Sequence, residues 1–330
     1  MFTALLGQLV TGSPLVFEVV GTEGPGRGKH VVLLAGDEEY RSEEMLPQLA
    51  KILATRHGFR CTVVFSLNGD GEIDPNERRR QPGIEALKDA DVCIMMLRFR
   101  TWDEPTMKVF ADYLESGRPI FALRTSTHAF DFPADSTNAY RRFGWQSRDW
   151  PGGFGKQVLG ENWVSHWGKH GSQGTRGIPV ADHPINRGVA EVFVPTDVYE
   201  AASPADATVL MRGEVVEGMR AGDPAATSRK KTAAGAEQGI NDPMMPVLWT
   251  RDFTASSAKT SRILTCTMGS ATDFSNAGFR RLVVNGVFWL SGLNIPAEVD
   301  VNVVGDYKPT NFGFEGFQKG VRPSDHATGE

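Results

Sequence analysis

Residues 118–130 constrain the fold of this chain more than any other stretch. Ile120-Phe121-Ala122-Leu123 is an apolar run short enough for a buried strand. It breaks abruptly into Arg124-Thr125-Ser126-Thr127-His128, a dense patch of guanidinium, hydroxyl and imidazole groups. Just upstream, Met107, Phe110, Ala111 and Leu114 recur at helical spacing and predict a helix over 103–115, stopped at Gly117. Helix, glycine, strand and polar turn in that order form half of a βαβ unit, and parallel α/β sheets meet their ligands at the carboxyl ends of the strands. The polar turn is therefore read as the floor of a site, although Arg, Thr and Ser also serve as ordinary turn and capping residues.

The same rhythm precedes this stretch. Residues 30–35 form a near-continuous apolar run, the pattern of a strand buried on both faces, and end in Gly36-Asp37-Glu38-Glu39-Tyr40-Arg41. Ser42 is placed to cap a helix carrying Leu46, Leu49, Ile52 and Leu53, with Glu43 and Glu44 in its first turn and Gly58 at its end. Residues 61–67 and 92–97 are further strands, with a brief helix over 84–89 between them. Arg98 and Arg100 follow the later strand. Three strand ends thus converge on one rim, placing Glu38, Glu39, Arg41, Arg98, Arg100, Arg124 and His128 together. Asn68-Gly69-Asp70-Gly71 is only superficially like a calcium loop, because the later ligand positions are missing.

After Phe130 the periodicity lapses. Residues 131–177 hold four of the seven tryptophans, Trp145, Trp150, Trp163 and Trp167, together with His166 and His170. A long irregular segment rich in aromatics is expected to be functional rather than disordered. Indole faces beside Arg, Asn and Gln suit stacking on sugar rings; a packed cluster covering one end of the sheet is the alternative. Residues 208–211, 246–250 and 262–267 read as strands and 275–290 as a helix. Residues 220–238, rich in Ala, Gly, Ser and Lys, read as an exposed, mobile insertion. The tail from Pro296 is expected to drape over the body.

Composition excludes several classes. The 35 basic and 40 acidic residues give a formal charge of −5 without a dense basic tract, which argues against a nucleic-acid partner. No run of about 18 apolar residues occurs to span a membrane. Cys61, Cys93 and Cys266 are scattered and fall in apolar strands, so inert buried thiols are expected. The apolar opening of residues 1–10 lacks a positive flank and a clear cleavage site. The chain as written reads as cytoplasmic, with an exported or periplasmic placement as the alternative. Whether it forms a homo-oligomer is left open.

The elbow Leu123-Arg124-Thr125-Ser126-Thr127-His128 and residues 35–41, followed in order by Asp182-His183-Pro184-Ile185, Thr196-Asp197-Val198-Tyr199, Thr267-Met268-Gly269 and residues 284–289, resemble the ThuA-like family, named from trehalose utilisation. The resemblance spans about residues 29–293, with 1–28 as an N-terminal extension and 294–330 as a C-terminal tail. It implies an α/β fold of the class I glutamine amidotransferase-like kind, a flavodoxin-like three-layer sandwich around a mainly parallel sheet. It also implies a link to carbohydrate use, with processing of a 3-keto sugar or disaccharide as the expectation. Two departures stand out. The elbow has no cysteine, so glutamine hydrolysis is not expected, and Ser270 follows Gly269 where many ThuA-like chains carry a histidine.

The expectation is a carbohydrate site in which His128, His166 and His170 act as acid, base or metal ligands. Glu39, Tyr40, Arg41, Arg98, Arg100, Arg124, Thr125, Ser126, Trp163, Trp167 and Asp197 would hold the sugar. No cofactor is firmly implied. Three imidazoles with an open position would suit a divalent metal such as zinc, while metal-free imidazoles serve as acid or base near neutral pH. A non-catalytic sugar-binding module and a metal-dependent hydrolase are the competing functions.

Overall fold

The computed structural model describes residues 8–9, 13–202 and 204–327. The chain opens with β1 (Gln8–Leu9) and β2 (Val16–Val20), then β3 (His30–Gly36), helix α1 (Ser42–His57), β4 (Arg60–Phe65), β5 (Val92–Leu97), α2 (Glu104–Glu115) and β6 (Ile120–Leu123). After a long irregular stretch come β7 (Thr175–Pro179), β8 (Val192–Val194), β9 (Thr208–Val215), β10 (Arg229–Lys231), β11 (Glu237–Gly239), β12 (Met245–Thr254), β13 (Thr260–Cys266) and α3 (Ala277–Leu290).

Eleven strands form one sheet in the order β1-β2-β4-β3-β5-β6-β13-β12-β9-β7-β8. Its centre, β4-β3-β5-β6-β13, is parallel, as the buried apolar runs require. Every other pairing in the sheet is antiparallel, so it is mixed rather than mainly parallel. Strands β9, β12 and β13 fall where the sequence placed strands, but β7, β8 and the antiparallel pairing did not announce themselves, because short strands and hairpins need no crossover helix.

Alternation along the central strands divides the core in two. Val31, Leu33 and Ala35 of β3 pack on the side of α1 and α3, while Val32 and Leu34 pack on the side of α2. Each fully buried Val or Leu contributes about 1.5–3 kcal/mol, so a one-residue slip in register is prohibitive.

Local signals explain the helix ends. Asp103 caps α2 by accepting the Thr106 N–H, Asn276 caps α3 from Phe279, and Gly58 ends α1 in a left-handed conformation. Ser42 differs from expectation: it is the first residue of α1, and its hydroxyl accepts the Asp37 N–H at 3.0 Å.

Two boundary expectations need correction. The segment before residue 29 is no appendage, since β2 pairs with β4 in the main sheet; the apolar opening lies outside the described residues except for 8–9. The insertion at 220–238 contains the β10–β11 hairpin. Lys230 Nζ donates from it to the carbonyls of His166 and Trp167, and Ala233 N–H donates to Glu200. The tail does drape over α1: Val304 O accepts from Gln48 and Asp300 O contacts His57. It then continues across the ends of the parallel strands. All three cysteines are free and buried, with the Cys266 thiol pushed up to about 12 by burial. No helix among the described residues is long and apolar enough to cross a membrane.

Candidate functional site

The turn after β3 is built around two buried carboxylates. Asp37 accepts the N–H groups of Glu39 (2.8 Å) and Tyr40 (2.9 Å) and the Thr125 hydroxyl. Burial and the neighbouring Glu38 push its carboxyl up to about 6 despite these bonds. Glu38 gathers Arg78 (2.7 Å), Arg98 (2.6 Å) and Arg100 (2.9 Å). Arg100 is fully buried, and it also donates to the carbonyls of Pro75 and Glu77, both at 2.9 Å. It therefore holds the loop after β4 in place and is not available to a substrate. Arg41 is likewise buried, donating to Gly313 O at 2.6 Å in the tail.

The elbow turns inward. Arg124 takes a left-handed conformation (φ 44) directly after β6 and is fully buried. Its guanidinium lies 3.8 Å from the ring centroid of Tyr199 and 4.5 Å from that of Tyr40. It donates to Asp197 Oδ1 (2.9 Å), Asp197 O (2.7 Å), Thr267 O (2.8 Å) and Tyr40 Oη (3.1 Å). The expected substrate fork is thus a buried ion pair that needs these bonds to offset desolvation. Ser126 Oγ donates to Met95 O and accepts the Leu97 N–H, and Thr125 is bound to Asp37. Arg124, Thr125, Ser126 and Tyr40 therefore form the layer beneath the site. The Ser126 hydroxyl is spent on the β5 backbone, and the Thr125 hydroxyl is bound to the buried Asp37 carboxylate beneath the site.

The histidines stand above that layer. His166 and His170 lie on an irregular loop held to the β8–β9 connection by the Trp167 and Gly168 N–H groups, both donating to Val198 O. His166 Nδ1 is 2.8 Å from Asp197 Oδ2, His170 Nδ1 is 3.1 Å from Asp197 Oδ1, and the two ring centroids are 4.5 Å apart. Burial opposes ionisation of Asp197, but Arg124 and the two imidazoles hold it well below the ordinary carboxylate range. The Asp197 hydrogen bond raises the His170 pKa against partial burial, helped by the charges of Asp197 and Glu39. His128 behaves oppositely. It is packed against Phe99 (4.8 Å) and Trp163 (5.5 Å), and burial, then Arg98 and Arg124, push its pKa well below the ordinary value.

Around His128 the side chains close into a ring. Trp145 meets Trp163 (6.2 Å), Trp163 meets His166 (5.8 Å), and His170 meets Phe312 of the tail (5.5 Å). On the other side Phe99 returns to Trp145 (5.5 Å) and carries the Arg98 guanidinium on its face (4.6 Å), with Phe314 lying outside this ring on the far side of Arg98 (5.0 Å). Trp163 takes the predicted place on this rim, but Trp167 does not. It is 1% exposed, its indole N–H donates to Ile240 O, and Lys230 covers its ring. Sequence reasoning missed Asp37, Phe99, Phe312 and Phe314. The aromatic spacing of Phe312, Phe314 and Phe317 in a Gly-rich tail was the one available signal.

A metal could be held by His166, His170 and Asp197, whose ligand atoms lie within 4.8 Å of one another. His128 is not in that set. The three-imidazole arrangement is replaced by two imidazoles and a carboxylate, because the elbow histidine is enclosed by Phe99 and Trp163.

A ThuA-like protein from Parabacteroides merdae is 15% identical, with 86% of this chain and 95% of that one covered and a TM-score of 0.48. A second ThuA-like protein, from Bacteroides uniformis, is also 15% identical, with 82% and 94% covered and a TM-score of 0.46. No curated protein matches. The ThuA sequence profile, described as trehalose utilisation, matches residues 31–290, and the chain belongs to the ThuA family.

Proposed function

We propose that this chain processes a carbohydrate, a 3-keto sugar or a disaccharide, inside the ring of aromatic and imidazole groups around His128. The observation that carries this reading is a pair of histidines in opposite surroundings joined by a run of ring contacts, His128 against Phe99 and Trp163 and His170 against His166 and Asp197. His128 is kept neutral, and His170 is held toward its protonated form by Asp197. Pairs driven apart in this way divide into base and acid. His128 would accept a proton from a sugar hydroxyl or from the carbon beside a keto group. His170, oriented by Asp197, would donate one to the departing or carbonyl oxygen. Trp163 and Trp145 would supply stacking faces, and Arg98 a cation at the rim.

The scaffold we propose is class I glutamine amidotransferase-like with flavodoxin-like layering. Helices on both faces of the parallel centre and a left-handed residue at the elbow support it. Its chemistry is not that of an amidotransferase, since the elbow carries Arg124 and hydroxyl side chains already bound to other groups.

Titration calorimetry against mono-, di- and 3-keto sugars, with turnover followed by NMR, tests the reading. Binding without turnover would leave a sugar-binding module. A second reading, metal-dependent hydrolysis, is favoured by the closeness of His166, His170 and Asp197. It requires that chelation abolish turnover and that zinc restore it.

A further inference from the structure

The tail lies beyond the residues matched by the family profile, yet it completes the site. Phe312 packs against Tyr40 (5.4 Å) and His170 (5.5 Å). The next peptide is clamped on both sides: Gly313 N–H donates to Glu39 O at 2.7 Å, and Gly313 O accepts from Arg41 at 2.6 Å. Past it, Glu315 is left-handed (φ 59), a conformation a non-glycine residue holds only where its surroundings impose it. At Gly316 a Cβ would come 2.2 Å from Arg41 Nη2, so the turn closes against the same guanidinium. The consequence is that Phe314 stands 58% exposed, the most exposed large hydrophobic side chain among the described residues.

A ring held in water by a fastened turn, beside a polar site, is suited to an occupant. Phe314 contacts Arg98, whose guanidinium rests on Phe99, whereas Phe312 is the tail ring that touches His170. Phe314 is thus one step farther from Asp197 than the inner enclosure. We propose that Phe314 is the stacking platform of an outer subsite, which takes the second ring of a two-ring glycoside whose first ring lies at His128. This rests on the carbohydrate reading of the site. The physical basis is the fit of a pyranose C–H face to the negative face of an aromatic ring, with Arg98 able to donate to ring hydroxyls.

The test is titration calorimetry of the full chain with trehalose and with glucose, for the parent, Phe314→Ala and Phe314→Trp. Because Phe314 is exposed, the variants are expected to melt with the parent. Phe314→Ala should weaken trehalose about two- to tenfold, the range of one aromatic stacking contact, and leave glucose unchanged. Phe314→Trp should retain trehalose binding. Equal weakening of both sugars, or of neither, overturns the subsite. A parent that binds glucose but not trehalose overturns the subsite alone, and a parent that binds neither of these nor a 3-keto sugar overturns the carbohydrate site with it.

Discussion

Asp197→Asn probes the pivot of the site. Asparagine keeps the shape of the side chain but removes the charge that pairs with Arg124 at 2.9 Å, where both side chains are fully buried. Removing one partner of a buried pair leaves an uncompensated charge and costs about 3–5 kcal/mol. Arg124 keeps the carbonyls of Asp197 and Thr267 and the faces of Tyr40 and Tyr199. These dipoles and ring quadrupoles place the expected loss at the lower end, about 3 kcal/mol. Equilibrium unfolding in urea at neutral pH would show it as a lowered midpoint with an unchanged slope. The double variant Arg124→Met, Asp197→Asn should be more stable than the sum of the singles by at least about 1 kcal/mol, because it removes the orphaned charge. In the single variant the His170 titration, followed by NMR, should fall, since its largest raising contribution is the Asp197 hydrogen bond. A loss under about 1 kcal/mol together with an unmoved His170 titration would refute the pivot.

Other expectations follow from the same geometry. Trp167→Ala should cost about 3–5 kcal/mol in chemical unfolding, as for a buried aromatic truncated in a core, whereas Trp163→Ala should melt near the parent and lose sugar affinity in calorimetry. The pH dependence of unfolding has two limbs. Asp197, with a depressed folded pKa, stabilises above the unfolded value near about 3.9, and that contribution is lost as pH falls through its folded value. His170, with a raised folded pKa, stabilises below about 6.5, and its contribution is lost as pH rises through its folded value; both limbs should flatten in Asp197→Asn. Glutamine should yield no ammonia with the parent, and glutaminase activity abolished by Thr125→Ala would contradict the elbow assignment.

What could be read from the sequence was what depends on local pattern. The runs that became β3, β5 and β6 are buried along their whole length, and a strand with no polar face is legible as such. Their order placed Glu39, Arg98 and His128 on one rim, and the pairing of Asp197 with both loop histidines brought together residues already singled out. Which way a strand-end side chain points was not legible. Phe99 and Arg124 both adopt positive φ, which no alternation rule anticipates, and this sends Arg124 under the site while Phe99 faces it. Trp163 and Trp167 are alike in sequence, and only the carbonyl of Ile240 and the Lys230 hairpin decide that Trp167 is core. The tail gave no periodicity because its rings are positioned by single clamps at Gly313, not by a helix or strand.

The most direct measurement of the central claim is NMR-followed conversion of a 3-keto glucoside by the parent, His128→Ala and His170→Ala, each with a melting control. The account predicts turnover by the parent and its loss in both variants, with the folded state retained in each. Full turnover in either variant would contradict the assignment of acid and base to this pair.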